Sequence, residues 1–206
     1  MESTVTNEDC MELMARYPDG YFSLAVVDPP YGIGAGEMTM GSGKHKFTKD
    51  KKWDSGIPKV DYFTELFRVS KNQIVWGGNY FTEHLPPTPH WLLWDKQNPN
   101  LSFAEGELAW ARKGKNLRIF KHYSAQVEEG GKIHPTQKPI KLYDWIYKNY
   151  LPDGGKVLDT HLGSGSNRIA ADRAGNIDFI ACELDKDYFE AQEKRFAEYK
   201  SQLKLF

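Results

Sequence analysis

The 206-residue chain is 40% hydrophobic with a formal net charge of −1, long enough for one well-packed domain spanning 1–206 and short for two. No apolar run reaches membrane-spanning length and the first residues form no secretory signal, so a soluble, cytoplasmic protein without a membrane partner is expected. Cys10 and Cys182 lie far apart without a CxxC pattern, and the six histidines show no ligand spacing, which predicts reduced thiols and no metal.

The charge is unevenly spread. Residues 1–28 carry one Arg against six acids, 41–60 carry six Lys against two Asp, and 111–123 carry five cations and no acid. A solvated loop is the ordinary reading of any one such run.

In chain order, Asp9-Cys10 precedes a helical pattern through Met11, Leu13, Met14 and Tyr17, closed by Pro18-Asp19-Gly20; here Asp9 reads as a helix cap. Residues 24–27, Leu-Ala-Val-Val, read as a buried strand of a parallel sheet that stops at Asp28. Pro29 and Pro30 carry no amide hydrogen, so this turn offers the Asp28 carboxylate and backbone carbonyls as acceptors with few competing donors, and Tyr31 adds a flat aromatic face. An acceptor cluster beside a stacking face at a strand's carboxyl end suits an exocyclic amine on a planar base.

Five glycines between 32 and 43 mark a loop. Lys44, Lys46, Lys49, Lys51 and Lys52 follow, interleaved with Phe47 and Trp53, a mixture suited to phosphates and bases, so loop 35–60 is a candidate DNA-contacting insertion. A helix over 61–69 and strands over 73–76, 91–95, 107–110 and 117–120 come next, their tryptophans read as core. Arg112, Lys113 and Lys115 make segment 111–133 a second candidate DNA contact.

His134-Pro135-Thr136-Gln137-Lys138-Pro139 leads into a helix over 140–150, whose free N-terminal amides suit a carboxylate. Residues 157–166 give a buried strand ending in Asp159, then a turn of Leu162, Gly163, Ser164, Gly165 and Ser166, then a helix over 167–173. A dinucleotide fingerprint, and with it an NAD-dependent oxidoreductase, would need a third glycine at 168, which is Arg. The strand 179–182 ends at Glu183, placed to accept both hydroxyls of a ribose, so Asp159, the glycine turn and Glu183 read as a nucleoside site. A charged helix over 186–205 closes the chain as a structural element. Strands alternating with helices indicate an α/β, doubly wound sheet.

Asp28-Pro29-Pro30-Tyr31 resembles the catalytic motif of the DNA amino-methyltransferases, which methylate adenine N6 or cytosine N4, the aspartate form going mostly with adenine. The resemblance extends to residues 134–139 and 159–166. The catalytic turn precedes the cofactor loop, as in the permuted β group; the confusable Asn-Pro-Pro-Tyr glutamine methyltransferases have the reverse order.

The resemblance implies a mostly parallel, seven-stranded Rossmann-like methyltransferase sheet with helices on both faces, and S-adenosylmethionine as cofactor. Asp28, Pro29, Pro30 and Tyr31 would be catalytic. Asp9, Cys10, Asp28, His134, Pro135, Thr136, Lys138, Asp159, Leu162, Gly163, Ser164, Gly165, Ser166 and Glu183 would hold the cofactor. Double-stranded DNA is the implied partner, and a homodimer, a partner restriction nuclease and a phage or mobile-element setting stay open. Family members usually carry a separate recognition segment before the 134–139 motif; here only 35–60 and 111–133 are available, so a short or degenerate target site is expected.

Overall fold

Leu24–Val27 forms β2, and all four side chains are buried, as in a strand covered on both faces. The computed structural model that contains it describes residues 2–35, 54–98, 104–123 and 131–202. The remaining strands are β1 (Ser3–Thr6), β3 (Gln73–Trp76), β4 (Trp91–Asp95), β5 (Gly106–Ala111), β6 (Arg118–Lys121), β7 (Gly155–Asp159) and β8 (Ile177–Cys182). They make one sheet in the order β1-β8-β7-β2-β3-β5-β4-β6.

The sheet thus has eight strands where seven are expected. The additional one is β1, whose four residues Ser-Thr-Val-Thr carry too little apolar patterning to announce a strand; it pairs in parallel on the outer side of β8, from Ser3 opposite Phe179 to Thr6 opposite Cys182. Five neighbouring strands, β1-β8-β7-β2-β3, are parallel, β5 runs antiparallel to β3, and β4 and β6 run parallel to each other.

Because successive side chains of a strand face opposite ways, β2 supplies two cores. Leu24 and Val26 join Ile74, Leu142, Ile146, Val157, Ile169 and Phe179 on the face covered by α3 (Ile140–Tyr150) and α4 (Ser166–Ala174). Ala25 and Val27 join Leu13, Met14, Phe63, Leu66 and Ile180 under α1 (Cys10–Ala15) and α2 (Val60–Val69). Each large aliphatic side chain so buried contributes roughly 1.5–3 kcal/mol. Trp76, Trp94 and Trp110 are buried, as a core role requires. The last helix, α5 (Lys186–Gln202), places Tyr199 in the first core.

Parallel strands all point their carboxyl ends the same way. The turns after β2, β3, β7 and β8 therefore gather on one edge of the sheet, and β5, running the other way, begins on that edge at Gly106 and leaves from the opposite one after Ala111.

Candidate active site at the carboxyl edge of the sheet

The chain leaves β2 at Asp28, whose carboxylate is held from two sides. Tyr31 Oη donates to Asp28 Oδ1 at 2.6 Å, and Lys138 Nζ donates to Oδ2 at 2.5 Å. Pro29 is buried and Pro30 half-buried. The Tyr31 ring is stacked on Tyr80, with centroids 5.0 Å apart and planes 15° apart. Gly77, at the end of β3, lies against the same ring: its φ is +69°, and a Cβ there would stand 2.1 Å from Tyr31 Cε1, so both the backbone and the space require glycine. Asp54 ties down the outgoing chain, accepting from the amides of Gly32 and Ala35 at 2.8 Å each.

Lys138 is buried between two carboxylates. Its Nζ lies 3.0 Å from Glu107 Oε2 at the head of β5, and Lys96 Nζ, just past β4, lies 2.6 Å from Glu107 Oε1. The hold of Glu107 on Lys138 is coulombic first, with hydrogen bonding second. Burial pushes the Glu107 carboxyl upward, but the two ammonium groups overcome this and bring it down to about 2. Burial raises the Asp28 carboxyl above its ordinary range, with Lys138 pulling the other way. Burial would strip Lys138 of its proton; Asp28 and Glu107 reverse that and raise it.

The second turn follows β7. Gly163 and Gly165 take φ of +54° and +73°, and a side chain on Gly163 would approach the His134 ring at 3.8 Å. Leu162, Ser164 and Ser166 are buried around this turn, and Arg195 of α5 donates to the Ser164 carbonyl at 2.8 Å and to Ser166 Oγ at 3.0 Å. The closing helix, expected to be structural, thus clamps the glycine turn. Glu183 accepts from the Gly163 amide at 2.8 Å through Oε2 and from the Asp185 amide at 2.9 Å through Oε1. A carboxylate oxygen can accept more than one hydrogen bond, the chemistry that a pair of ribose hydroxyls needs.

Asp159 accepts from Asn167 Nδ2 at 2.8 Å and from the His161 amide at 3.1 Å. Burial lifts its carboxyl to about 7 against those two bonds, with help from Asp28 and Glu183. Asn167 also donates to the Val26 carbonyl at 3.2 Å, joining β7 to β2. Arg168, where a dinucleotide fold needs glycine, is a buried bridge from Ser3 to Glu193. On the near side, Asp9 caps α1 by accepting from the Met11 amide at 2.7 Å, and the half-buried Cys10 thiol is pushed up by burial to about 12.

Residues 134–139 span the distance between the turns. The His134 ring lies over Gly163 and packs on Tyr188 with centroids 4.3 Å apart, and Thr136 hydrogen-bonds His134 Nδ1 at 3.1 Å. Pro135 is buried, and four residues after His134, Lys138 reaches Asp28. Lys138, expected among the cofactor residues, has Asp28, Glu107 and Tyr31 as its partners, groups of the other turn and of β5. Sequence reasoning also missed Glu107 itself, although an acid inside an otherwise apolar buried strand is a signal. Nothing in the sequence announces Asp54 or Arg195 as neighbours of either turn.

The expected DNA-contacting residues do not converge here. Arg112, Lys113 and Lys115 follow β5 out of the opposite edge, where the Arg112 amide donates to the Gln73 carbonyl at the start of β3. Lys44, Lys46, Lys49, Lys51 and Lys52 lie outside the described residues. Among the described residues no cluster of His, Cys, Asp or Glu could hold a metal, and no helix is long and apolar enough to cross a membrane.

The glycine turn, with no Cβ to fill it, buried Asp159 and acceptor-rich Glu183, fits a nucleoside with an attached amino acid, which is what S-adenosylmethionine is. Comparison with known proteins agrees. The chain is 25% identical to the type II methyltransferase M.HinfI of Haemophilus influenzae, covering 96% of this chain and 69% of that one. In fold it is similar to the M1.HpyAVI–SAM complex, with a TM-score of 0.63 at 18% identity over 95% of this chain and 99% of the other. It is equally similar to the cytosine-N4-specific PvuII DNA methyltransferase, with a TM-score of 0.65 at 15% identity over 95% and 86%. The DNA methylase family model covers residues 75–194, more than half of the length, and the chain accordingly belongs to the N6/N4 DNA methylases, S-adenosylmethionine-dependent enzymes.

Proposed function

We propose that the protein methylates adenine N6 of a base flipped out of double-stranded DNA. The observation that carries this is the single segment 134–139: at one end the His134 ring stands 3.8 Å from where a Gly163 side chain would begin, and at the other Lys138 holds the Asp28 carboxylate, so that nucleoside pocket and amine acceptor share one edge.

In this reading Tyr31 stacks on the base, because an amine inside a duplex is out of reach. Asp28 and the Pro29 carbonyl accept the two N6 hydrogens and turn the nitrogen lone pair out of the ring. Asp159, Leu162, the residues 163–166 and Glu183 hold the nucleoside end of the cofactor, with Asp9 and Cys10 alongside, and His134, Pro135 and Thr136 border its amino-acid end. When bound there, S-adenosylmethionine supplies a methyl group whose sulfur keeps the bonding electron pair as nitrogen attacks. Asp28 stabilises the charge growing on nitrogen, then takes the surplus proton and passes it to solvent. Holding the two reactants in near-attack geometry supplies most of the rate.

Incubating plasmid DNA with protein and cofactor, then digesting it and weighing the nucleosides, tests this. N6-methyladenine is expected; N4-methylcytosine would move the assignment to the other amine, and no methylated base would refute methyl transfer to DNA. Methylation-sensitive sequencing of the same DNA is expected to return a short or degenerate site, and one uninterrupted motif of about six base pairs or more would contradict it.

A further inference from the structure

We propose that Lys138 is a positioning residue for methyl transfer: its paired contact with Asp28 and Glu107 keeps the Asp28 carboxylate charged and aimed at the target amine. This rests on the function proposed above.

Lys138 belongs to a motif that borders the cofactor, yet its ammonium points the other way. Nζ is 2.5 Å from Asp28 Oδ2, 3.0 Å from Glu107 Oε2 and 3.3 Å from Tyr31 Oη. Its side chain is only 2% exposed, and the rings of Trp76 and Tyr31 enclose it with centroids 5.3 and 5.7 Å away. An ammonium buried like this is kept for its charge.

The charge has an identifiable task. A charged Asp28 accepts strongly and can take up a proton; a protonated Asp28 is a weaker acceptor, presents an O–H donor, and can neither stabilise charge growing on nitrogen nor take its surplus proton. Burial alone drives Asp28 toward that useless form, and Lys138 is the cation that opposes it. Glu107 has the complementary task. It draws on the same ammonium from β5, with Lys96 behind it, so Asp28 is left basic enough to accept the proton that nitrogen releases. Among the described residues, Tyr31 from the turn itself hydrogen-bonds Asp28, and Tyr143 from α3 and Asp159 from β7 are coupled to it electrostatically.

The test uses the full chain with Lys138→Met and Glu107→Gln, read three ways. Calorimetry with S-adenosylmethionine should give affinities within about threefold of the parent for both variants, since the two side chains pair with Asp28, Tyr31 and Lys96 and with each other, none of them in the glycine turn. The acid limb of kcat/KM should move in opposite directions. Lys138→Met shifts it upward by about one pH unit or more, with a loss of roughly tenfold or more at neutral pH that alkaline buffer partly restores. Glu107→Gln shifts it downward. A carbon-13 titration of the Asp28 carboxyl, assigned with Asp28→Asn, should show the same opposite displacements without requiring turnover.

Loss of cofactor affinity in Lys138→Met with an unmoved carboxyl titration would overturn the proposal in favour of a cofactor role. Lowered activity in both variants with no displacement of either titration would reduce the pair to packing. If Lys138→Met does not fold, the downward displacement in Glu107→Gln still decides. A parent enzyme that methylates no base, with the carboxyl displacements present, would refute the function proposed above while sustaining the Lys138–Asp28 linkage.

Discussion

The Asp28 turn and the Gly163 turn end neighbouring strands of one sheet, β2 and β7, yet they are built from opposite materials. The first has no amide hydrogen at Pro29 or Pro30 and works through side chains, with an aspartate, a tyrosine and a buried lysine locked together. The second works through backbone, with two glycines at positive φ and an amide already aimed at a carboxylate. A turn stripped of donors suits a ligand that donates, and a turn of glycine backbone beside carboxylate oxygens suits one that carries hydroxyls. On the function proposed above, the same strand-to-turn scaffold serves two different ligands on neighbouring strands of one edge.

The sharpest way to break this contrast is Asp28→Ala. It should lower methyl transfer by about a hundredfold or more while S-adenosylmethionine binding, measured calorimetrically, stays unchanged. Equal loss of both would mean that the two turns are one binding site and not two.

Gly77→Ala attacks the side-chain turn through its neighbour. A left-handed backbone with a side chain and an overlap with the Tyr31 ring together cost roughly 2–5 kcal/mol, so a Tm lower by on the order of 10 °C is expected, with methylation reduced further than cofactor binding. A Tm within a degree or two of the parent would show that Tyr31 is free to leave Gly77.

Asp159→Asn probes the backbone turn by pH. The Asp159 carboxyl, at about 7, lies above its ordinary 3.8, so its contribution to stability is complete below about pH 4 and is lost as pH rises through about 7. Glu107, held at about 2, has the reverse sign, its contribution complete above about pH 4.5 and lost as pH falls toward 2. Denaturant titration of the cofactor-free protein should therefore find the parent losing stability relative to Asp159→Asn between pH 4 and 7, by roughly a few kcal/mol at most. A constant difference would remove Asp159 from the titrating groups.

The smallest effect is expected from the paired change Lys113→Ala and Lys115→Ala. Both lie at the edge from which β5 departs, away from Asp28, so KM for DNA and its salt dependence should stay within about twofold of the parent. A pronounced drop in salt dependence would return these lysines to the DNA contact.

These placements explain what could be read from the chain and what could not. Both turns were legible because each is a run of consecutive residues with distinctive chemistry, and α3 occupies the expected 140–150 because its apolar period is regular and a proline starts it. Strand direction was not legible. Nothing local to Gly106–Ala111 distinguishes a strand running with β3 from one running against it, and that single choice moves Arg112, Lys113 and Lys115 to the other edge. The Lys138–Asp28 contact was not legible for a related reason: the motif describes where the backbone goes, whereas the side chain meets a residue 110 positions away.

At the end of the sheet opposite β1 lies β6, Arg-Ile-Phe-Lys, which among the described residues pairs only with β4 and is largely exposed. A rim of this kind has open backbone groups that invite another chain to add on. Two copies aligned there would bring Arg118 and Lys121 of each against those of the other, and repulsion between like charges makes such growth unfavourable. The basic residues at this margin thus oppose extension of the sheet through β6.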